Sequence, residues 1–410
     1  MKIYQVGGAV RDRLLGLKPT DIDYVVIGST VQEMLNLGFK PVGKRFPVFL
    51  HPKTKAEYAL ARKEIKTGNK HTDFQFIFDP TITLEDDIIR RDFTINALVQ
   101  EDENSPIIDL VNGVNDLNNH LIRHIDATHF IEDPLRILRM CRFAAQLNFN
   151  IHPDTMILTQ QMVKEGMLQH LSKERIFQEI EKAFSTAHAD IFIEKMRECG
   201  ALKVLLPEIE KLFTTPEKII YHPEKTSGAH TILALKAGKN YSPEIQFAIL
   251  LHDVGKAETP TEILPSHYGH DKRGEALVNN ICKRLKIPNK YKEMALLGTK
   301  MHMKLRDVPY MRLTKLFDFV NQISNKFKDE TKIKDLFLIC QADMMGRAIP
   351  LKDEEFENFE LAKNRVMRLF SLMQEIKITD MPLFQEMKKD ASLPHQFKTY
   401  ALEILKTKMD

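Results

Sequence analysis

The 410-residue sequence predicts an α+β protein, a mixed α/β head followed by an all-helical remainder. Three observations predict it. Up to about Leu121 the apolar residues come in short runs broken by glycine, proline and asparagine, the pattern of strands and turns. From Asp133 onward they recur at helical spacing. The length also exceeds what one ordinary core serves, so two or more domains are expected.

In the head, KIYQV reads as the first strand, Gly7-Gly8 as a tight turn and VRDRLLG as a short helix. DIDYVVIG is the second strand, VQEMLNLG a helix, and PVFLH, AEYALA and PIIDL further strands. KEIKTGNKHTDFQF carries Lys, Gly, Asn and Thr and reads as a loop. Beyond the head, PLRILRMCRFAAQL, ERIFQEIEKAF and DIFIEKMRECGAL have helical periodicity. A histidine-punctuated helical region follows KIIYHPEKTSGAHT to about Gly346, and the Lys- and Glu-rich last sixty or so residues predict amphipathic helix. These shifts place domains at 1–125 (head), 126–220 (helical neck and body), 221–350 (histidine-rich domain) and 351–410 (helical tail).

The composition, 43% hydrophobic and 28% charged, is that of a soluble globular protein. Lys+Arg 59 against Asp+Glu 56 leaves only +3, which permits a nucleic-acid partner without demanding one. Cys141, Cys199, Cys282 and Cys340 lie far apart with no CxxC, against a disulfide framework or thiolate zinc site. MKIYQVGG has no apolar signal region and FAILL is too short to span a bilayer, so a cytoplasmic protein without membrane contact is expected.

Asp21 and Asp23 carry the first chemical signal. Residues two apart in a strand face the same side, so the two carboxylates project together. So close a pair repels unless a cation lies between, and hard oxygen ligands suit Mg²⁺. A metal between paired aspartates is also the apparatus of phosphoryl transfer. An aspartate cap and turn is the structural alternative for an isolated Asp-x-Asp. The context favours the first reading: Gly7-Gly8 put backbone amides where a phosphate could bind, with Arg11 as a charged donor.

A glycine pair, a short helix and an Asp-x-Asp strand together resemble the nucleotidyltransferase fold of the polymerase-β superfamily. Three further blocks narrow the resemblance: LEDDIIRRDFTINAL, EDPLRILRMCRF and ERIFQEIEKA. In this order, over roughly the first half of the chain, the motifs resemble the class II tRNA nucleotidyltransferases, the CCA-adding enzymes, with their bacterial poly(A) polymerase relatives. The resemblance implies addition and repair of the 3′-terminal CCA of tRNA from CTP and ATP, with release of pyrophosphate. It implies Asp21 and Asp23 as catalytic Mg²⁺ ligands and Glu57, on a strand beside them, as a third carboxylate; an exposed strand glutamate is the alternative. Gly8, Arg11, Arg90, Arg91, Asp92, Asp133, Arg136 and Arg139 are its implied nucleotide-binding residues, and the KEIKTGNKHTDFQF loop a flexible element in the switch from C to A.

Side chains would stand in for a template. Cytosine and adenine share an exocyclic amine beside an unprotonated ring nitrogen, and a carboxylate with a guanidinium matches that edge while rejecting U and G. By resemblance Asp133 and Arg136 take those roles and Arg139 helps bind the nucleotide. Solvated arginines after an acidic first turn are the structural alternative. The helical remainder would hold tRNA by charge and shape.

A second signal is the ordered set His230, His252-Asp253 followed by Gly-Lys, His270, His302 and Asp343. Imidazoles and carboxylates mix readily in transition-metal sites, whereas one histidine on an apolar helix is usually core. The set resembles the HD phosphohydrolase domain, which implies His230, His252, Asp253 and Asp343 as metal ligands, with His270 and His302 as further candidates. Phosphatase, 2′-nucleotidase and 2′,3′-cyclic phosphodiesterase activities follow from that resemblance, with Ni²⁺ as the implied metal. Poly(A) polymerase, or an HD phosphohydrolase with a non-catalytic RNA-binding head, is the alternative. The histidine set weighs against the first and the intact head motifs against the second. The chain is expected to act as a monomer or homodimer.

Overall fold

The computed structural model describes residues 1–19, 21–42, 48–66, 74–324, 330–381 and 392–409, with 63–66, 74–77, 378 and 409 described by backbone alone. It divides into two compact units, Met1–Leu205 and Leu206–Asp410. The first is the mixed head with its following helices and the second is helical, as the sequence predicts.

Of the ten strands among the described residues of the first unit, eight build its head: β1 (Lys2–Val6), β2 (Asp23–Ile27), β3 (Lys40–Val42), β4 (Val48–Leu50), β5 (Glu57–Leu60), β6 (Lys63–Lys66), β7 (Phe74–Ile77) and β8 (Val99–Gln100); Leu121–Ile122 and Asn150–Ile151 form a separate short pair. Six form one sheet in the order β3-β4-β5-β2-β1-β8. Within this sheet, among the described residues, only β2 and β5 pair in parallel, and the chain between them supplies the crossover through the Val31–Asn36 helix and the β3–β4 pair. Alternation then sorts the side chains. Val25 joins Tyr4, Val6, Ala97 and Val99 in one core cluster, while Val26 joins Met34, Phe39, Phe49 and Leu60 in another on the opposite face. Asp23 and Glu57 are Cα partners across β2 and β5, and the same alternation puts both on the face of Val25.

Two expected elements differ. PIIDL is not a strand; it makes a single bridge, Val99 to Ile108. Asp109 bends the chain there, its carboxylate accepting from the backbone amides of Val111, Gly113 and Val114. KEIKTGNKHTDFQF is not wholly a loop, because its two ends are β6 and β7, an antiparallel pair, while 67–73 lie outside the described residues. Alternating aromatics in FQF favour such a strand.

The Leu135–Leu147 helix buries Ile137, Leu138, Cys141, Ala144 and Ala145 against the Lys173–Phe184 and Ala189–Glu198 helices. Cys141 and Cys199 meet there as free thiols, Sγ to Sγ 4.0 Å. In the second unit the Pro243–Leu251 helix is buried along most of its length, which explains why it is apolar all round. It packs on the Ser227–Ala237, Asn289–Leu305 and Glu330–Met345 helices. The Asp353–Glu375 helix is amphipathic, burying Phe359, Ala362, Val366, Leu369 and Phe370, and Leu393–Met409 follows it. No described helix is long and apolar enough to cross a membrane.

Candidate active sites

The first unit holds a cavity of about 670 Å³ with Asp21 and Asp23 on its wall and eight arginines around them, a setting for a small, highly charged anion. Asp21 lies two residues before β2 begins, so the paired aspartates straddle the strand's start rather than sharing a strand. Neither makes a salt bridge or side-chain hydrogen bond among the described residues. Crowding by protein raises the Asp23 carboxyl and Asp21 raises it further, against the pull of Arg91. Two neighbouring, otherwise unpaired carboxylates are a donor set for a hard divalent cation.

Gly7 reaches the cavity at φ 72°, a conformation that favours glycine, and a Cβ there would stand 3.5 Å from Asn96 O. Gly8 opens the following helix, from which Arg11 is buried, its Nη1 donating to Asn96 Oδ1 at 2.6 Å and its Nε to Asp12 Oδ1 at 2.8 Å. Arg90 and Arg91 are both anchored by Asp87, which is fully buried; Arg91 Nη2 lies 2.9 Å from Oδ2. Burial pushes the Asp87 carboxyl up, but Arg91 and then Arg90 overcome it and bring it down to about 2. Asp92 accepts from Arg139 Nε at 2.7 Å and from Asn96 Nδ2 at 3.2 Å, so it holds the site together. Phe143 backs the cluster: the guanidiniums of Arg11, Arg139 and Arg142 stand 5.3, 5.3 and 4.0 Å from its ring centroid.

Asp133 and Arg136 also line the cavity, but their helix begins at Leu135 with Pro134 as cap. Asp133 therefore lies outside the helix, accepting from Leu135 N at 3.0 Å and from Arg175 Nη2 at 2.7 Å. Arg136 donates to the backbone oxygens of His129 at 2.8 Å and Arg90 at 2.5 Å. Glu57 is placed beside Asp23 by strand register yet is not on the cavity wall. Sequence reading missed Asp87, Arg142, Phe143 and Arg175, although each sits in or beside a block it had singled out.

The second unit brings all six expected ligands together. His230, His252, Asp253, His270 and His302 are buried. Four imidazoles share one arrangement: Nδ1 lies 3.0 Å from Gly346 O (His230), 2.7 Å from Ile249 O (His252), 2.9 Å from His267 O (His270) and 3.0 Å from Gly298 O (His302). A carbonyl only accepts, so each Nδ1 carries hydrogen, and in its neutral form each ring has its lone pair on Nε2. His230 Nε2 is 2.9 Å and His252 Nε2 3.6 Å from Asp343 Oδ1. His270 and His302 Nε2 atoms are 3.3 Å apart, each 3.4 Å from Asp253 Oδ1. Asp253 Oδ2 meanwhile lies 3.2 Å from His252 Nε2.

These distances divide the ligands into two groups, His230–His252–Asp343 and Asp253–His270–His302, with Asp253 facing both. His252 Nε2 and Asp253 Oδ1 are buried without a hydrogen-bond partner, which a shared cation would resolve. Burial disfavours charge on His252, but Asp253 and Asp343 overcome it and raise the ring to about 10, so this end attracts positive charge. At His270 burial prevails and takes the ring to about 4, which keeps its lone pair free. Lys256, 2.7 Å from Asp253 Oδ2 and 2.8 Å from Glu217 Oε1, balances the remaining charge. Gly255 makes the cluster possible: a Cβ there would lie 1.9 Å from His270 O. A cavity of about 770 Å³ opens over Asp253, His270, His302 and Asp343.

Known proteins share these features. The model of the poly A polymerase head domain matches residues 3–123, that of the probable RNA and SrmB-binding site of polymerase A matches 148–213, and that of the HD domain matches 219–343. The multifunctional CCA protein of Tolumonas auensis is 47% identical over 355 residues, 85% of this chain and 85% of that protein. That of Acinetobacter baumannii (strain AYE) is 42% identical over 410 residues, 99% and 97% of the two chains. Among solved structures, a CCA-adding enzyme with ATP superposes with TM-score 0.63 at 20% identity, covering 98% of this chain and 85% of that one. The Bacillus stearothermophilus CCA-adding enzyme in complex with CTP gives 0.61 at 21% identity over 99% and 94%. The Thermotoga maritima enzyme complexed with tRNA gives 0.58 at 19% identity over 100% and 91%. At these identities the structures share the fold.

Proposed function

We infer the chemistry of both sites from the family to which the chain belongs, the multifunctional CCA proteins. The first unit is a nucleotidyltransferase that adds and repairs the 3′-terminal CCA of tRNA from CTP and ATP, releasing pyrophosphate. The second carries an HD phosphohydrolase activity that depends on divalent metal. The observation that carries the first assignment is the unpaired Asp21–Asp23 couple sharing a wall with eight arginines.

In the first site Asp21 and Asp23 would hold magnesium, which when bound gathers phosphate oxygens and steadies charge at the α-phosphate. Arg11, Arg90, Arg91 and Arg139 bind the triphosphate, each already fixed by Asp12, Asp87 or Asp92. Asp133 and Arg136 read the base edge. Arg175 holds Asp133 by one oxygen and leaves that carboxylate lone pairs for an exocyclic amine. Glu57 is the third carboxylate, supported by its register with Asp23.

In the second site four inward Nε2 atoms and two carboxylates fit two transition-metal ions, nickel in our reading, which when bound polarise a phosphoester. The head (1–125) carries transfer, 126–220 base and tRNA contacts, 221–350 hydrolysis, and 351–410 is a helical tail. Mass spectrometry of the purified protein tests the metal reading. About two transition-metal equivalents per chain are expected, with both reduced in Asp253→Asn; a metal content unchanged by that substitution contradicts it.

A further inference from the structure

Beside the ligand cluster stands a histidine–carboxylate pair that the ligand set does not use. His222 Nδ1 is 2.8 Å from Glu224 Oε1. The Glu224 side chain is only 4% exposed, and its Oε2 accepts from the Ala348 backbone amide at 3.3 Å. Its Oε1 also lies 3.3 Å from His230 Nδ1. The His222 ring meets the His230 ring edge-on, centroids 4.9 Å apart, and lines the same cavity as Asp253, His270, His302 and Asp343.

With Nδ1 committed to Glu224, the other ring nitrogen decides what His222 does. Nε2 has no partner among the described residues, and it is not among the buried unpartnered atoms, while 20% of the side chain is exposed. That nitrogen is open to the cavity. His222, Glu224 and His230 are close enough to hold an ion by themselves. But His230 Nδ1 carries a hydrogen toward Gly346 O at 3.0 Å, so it has no lone pair to give. The pair therefore suits proton transfer better than ligation.

The inference rests on the phosphohydrolase reading of this site. We propose that His222, oriented by Glu224, is the proton donor to the leaving oxygen of the phosphoester. A water oxygen bonds to phosphorus as the bond from phosphorus to the sugar oxygen breaks. The electron pair of that bond goes to the sugar oxygen, which takes a proton from His222 Nε2. The proton released by the water returns the ring to its starting state through solvent, leaving a sugar hydroxyl and inorganic phosphate. Glu224 stays ionised throughout, accepting from Nδ1 and fixing the ring, so it is a positioning residue.

A sugar alkoxide leaves poorly without a proton, whereas p-nitrophenolate leaves well unaided, and this difference tests the proposal. Full-length wild type, His222→Asn and Glu224→Gln, each supplied with Ni²⁺, are compared on adenosine 2′-monophosphate and p-nitrophenyl phosphate, with metal content measured on each. His222→Asn is expected to lose about 100-fold or more in kcat on the nucleotide and less than about tenfold on the nitrophenyl ester, at wild-type metal content. Glu224→Gln is expected to shift the two substrates apart in the same sense. Equal losses on both esters overturn the proposal, and so does loss of metal in His222→Asn, which makes that residue a ligand. If wild type turns over neither ester, the phosphohydrolase reading fails first and this inference with it.

Discussion

Asp87 shows how a single side chain sets the electrostatics of the transfer site. Its two oxygens hold Arg90 and Arg91 in place while staying fully buried. Asp87→Asn leaves two guanidiniums without their charge partner and is expected to destabilise the first unit by about 3 kcal/mol, read from denaturant unfolding. Its pH dependence has a definite sign. The folded carboxyl, near 2, lies below its ordinary 3.8, so its stabilisation is complete above pH ~4 and is lost as pH falls toward about 2. Acid titration of wild type should show this loss, and Asp87→Asn should lack it. At Asp23 the balance is reversed: the carboxyl is raised, first by crowding and then by Asp21, so the pair is arranged against stability. Asp23→Asn is expected to lower nucleotide addition by at least about 1,000-fold while leaving the thermal midpoint unchanged or higher, a split that calorimetry and a turnover assay read together.

At the scale of elements, register and close approach bring distant residues into one site. Alternation made the KIYQV, DYVVI and EYAL strands legible, whereas only the family resemblance placed Glu57 beside Asp23, where the strand register carries it. PIIDL was misread because a side chain, Asp109, captured the amides a ladder would have used. The Asp133–Arg175 contact spans 42 residues, beyond what local spacing reveals, and so the Asp133 carboxylate looked freer in sequence than it is. Asp133→Ala is expected to relax exclusion of UTP and GTP, a loss of discrimination worth about 1–3 kcal/mol, with triphosphate binding retained. Unchanged exclusion in single-nucleotide incorporation removes Asp133 from that role. The histidine set was legible from its order, but the carbonyls that orient the rings depend on helix geometry. Gly255 illustrates this: its backbone meets His270 O so closely that Gly255→Ala is expected to lower both thermal midpoint and metal content.

At the scale of the whole molecule, among the described residues the aspartate–arginine cavity is lined from Met1–Leu205 and the histidine cluster from Leu206–Asp410. His252→Ala should therefore abolish phosphoester hydrolysis and leave CCA addition near the wild-type rate. The most direct measurement of the central claim is single-nucleotide-resolution electrophoresis of a tRNA lacking its CCA, incubated with the protein, magnesium, CTP and ATP. Three added nucleotides with a stop after A, and none with Asp21→Asn or Asp23→Asn, is the predicted result. Long A tails, or normal addition by either variant, would contradict it.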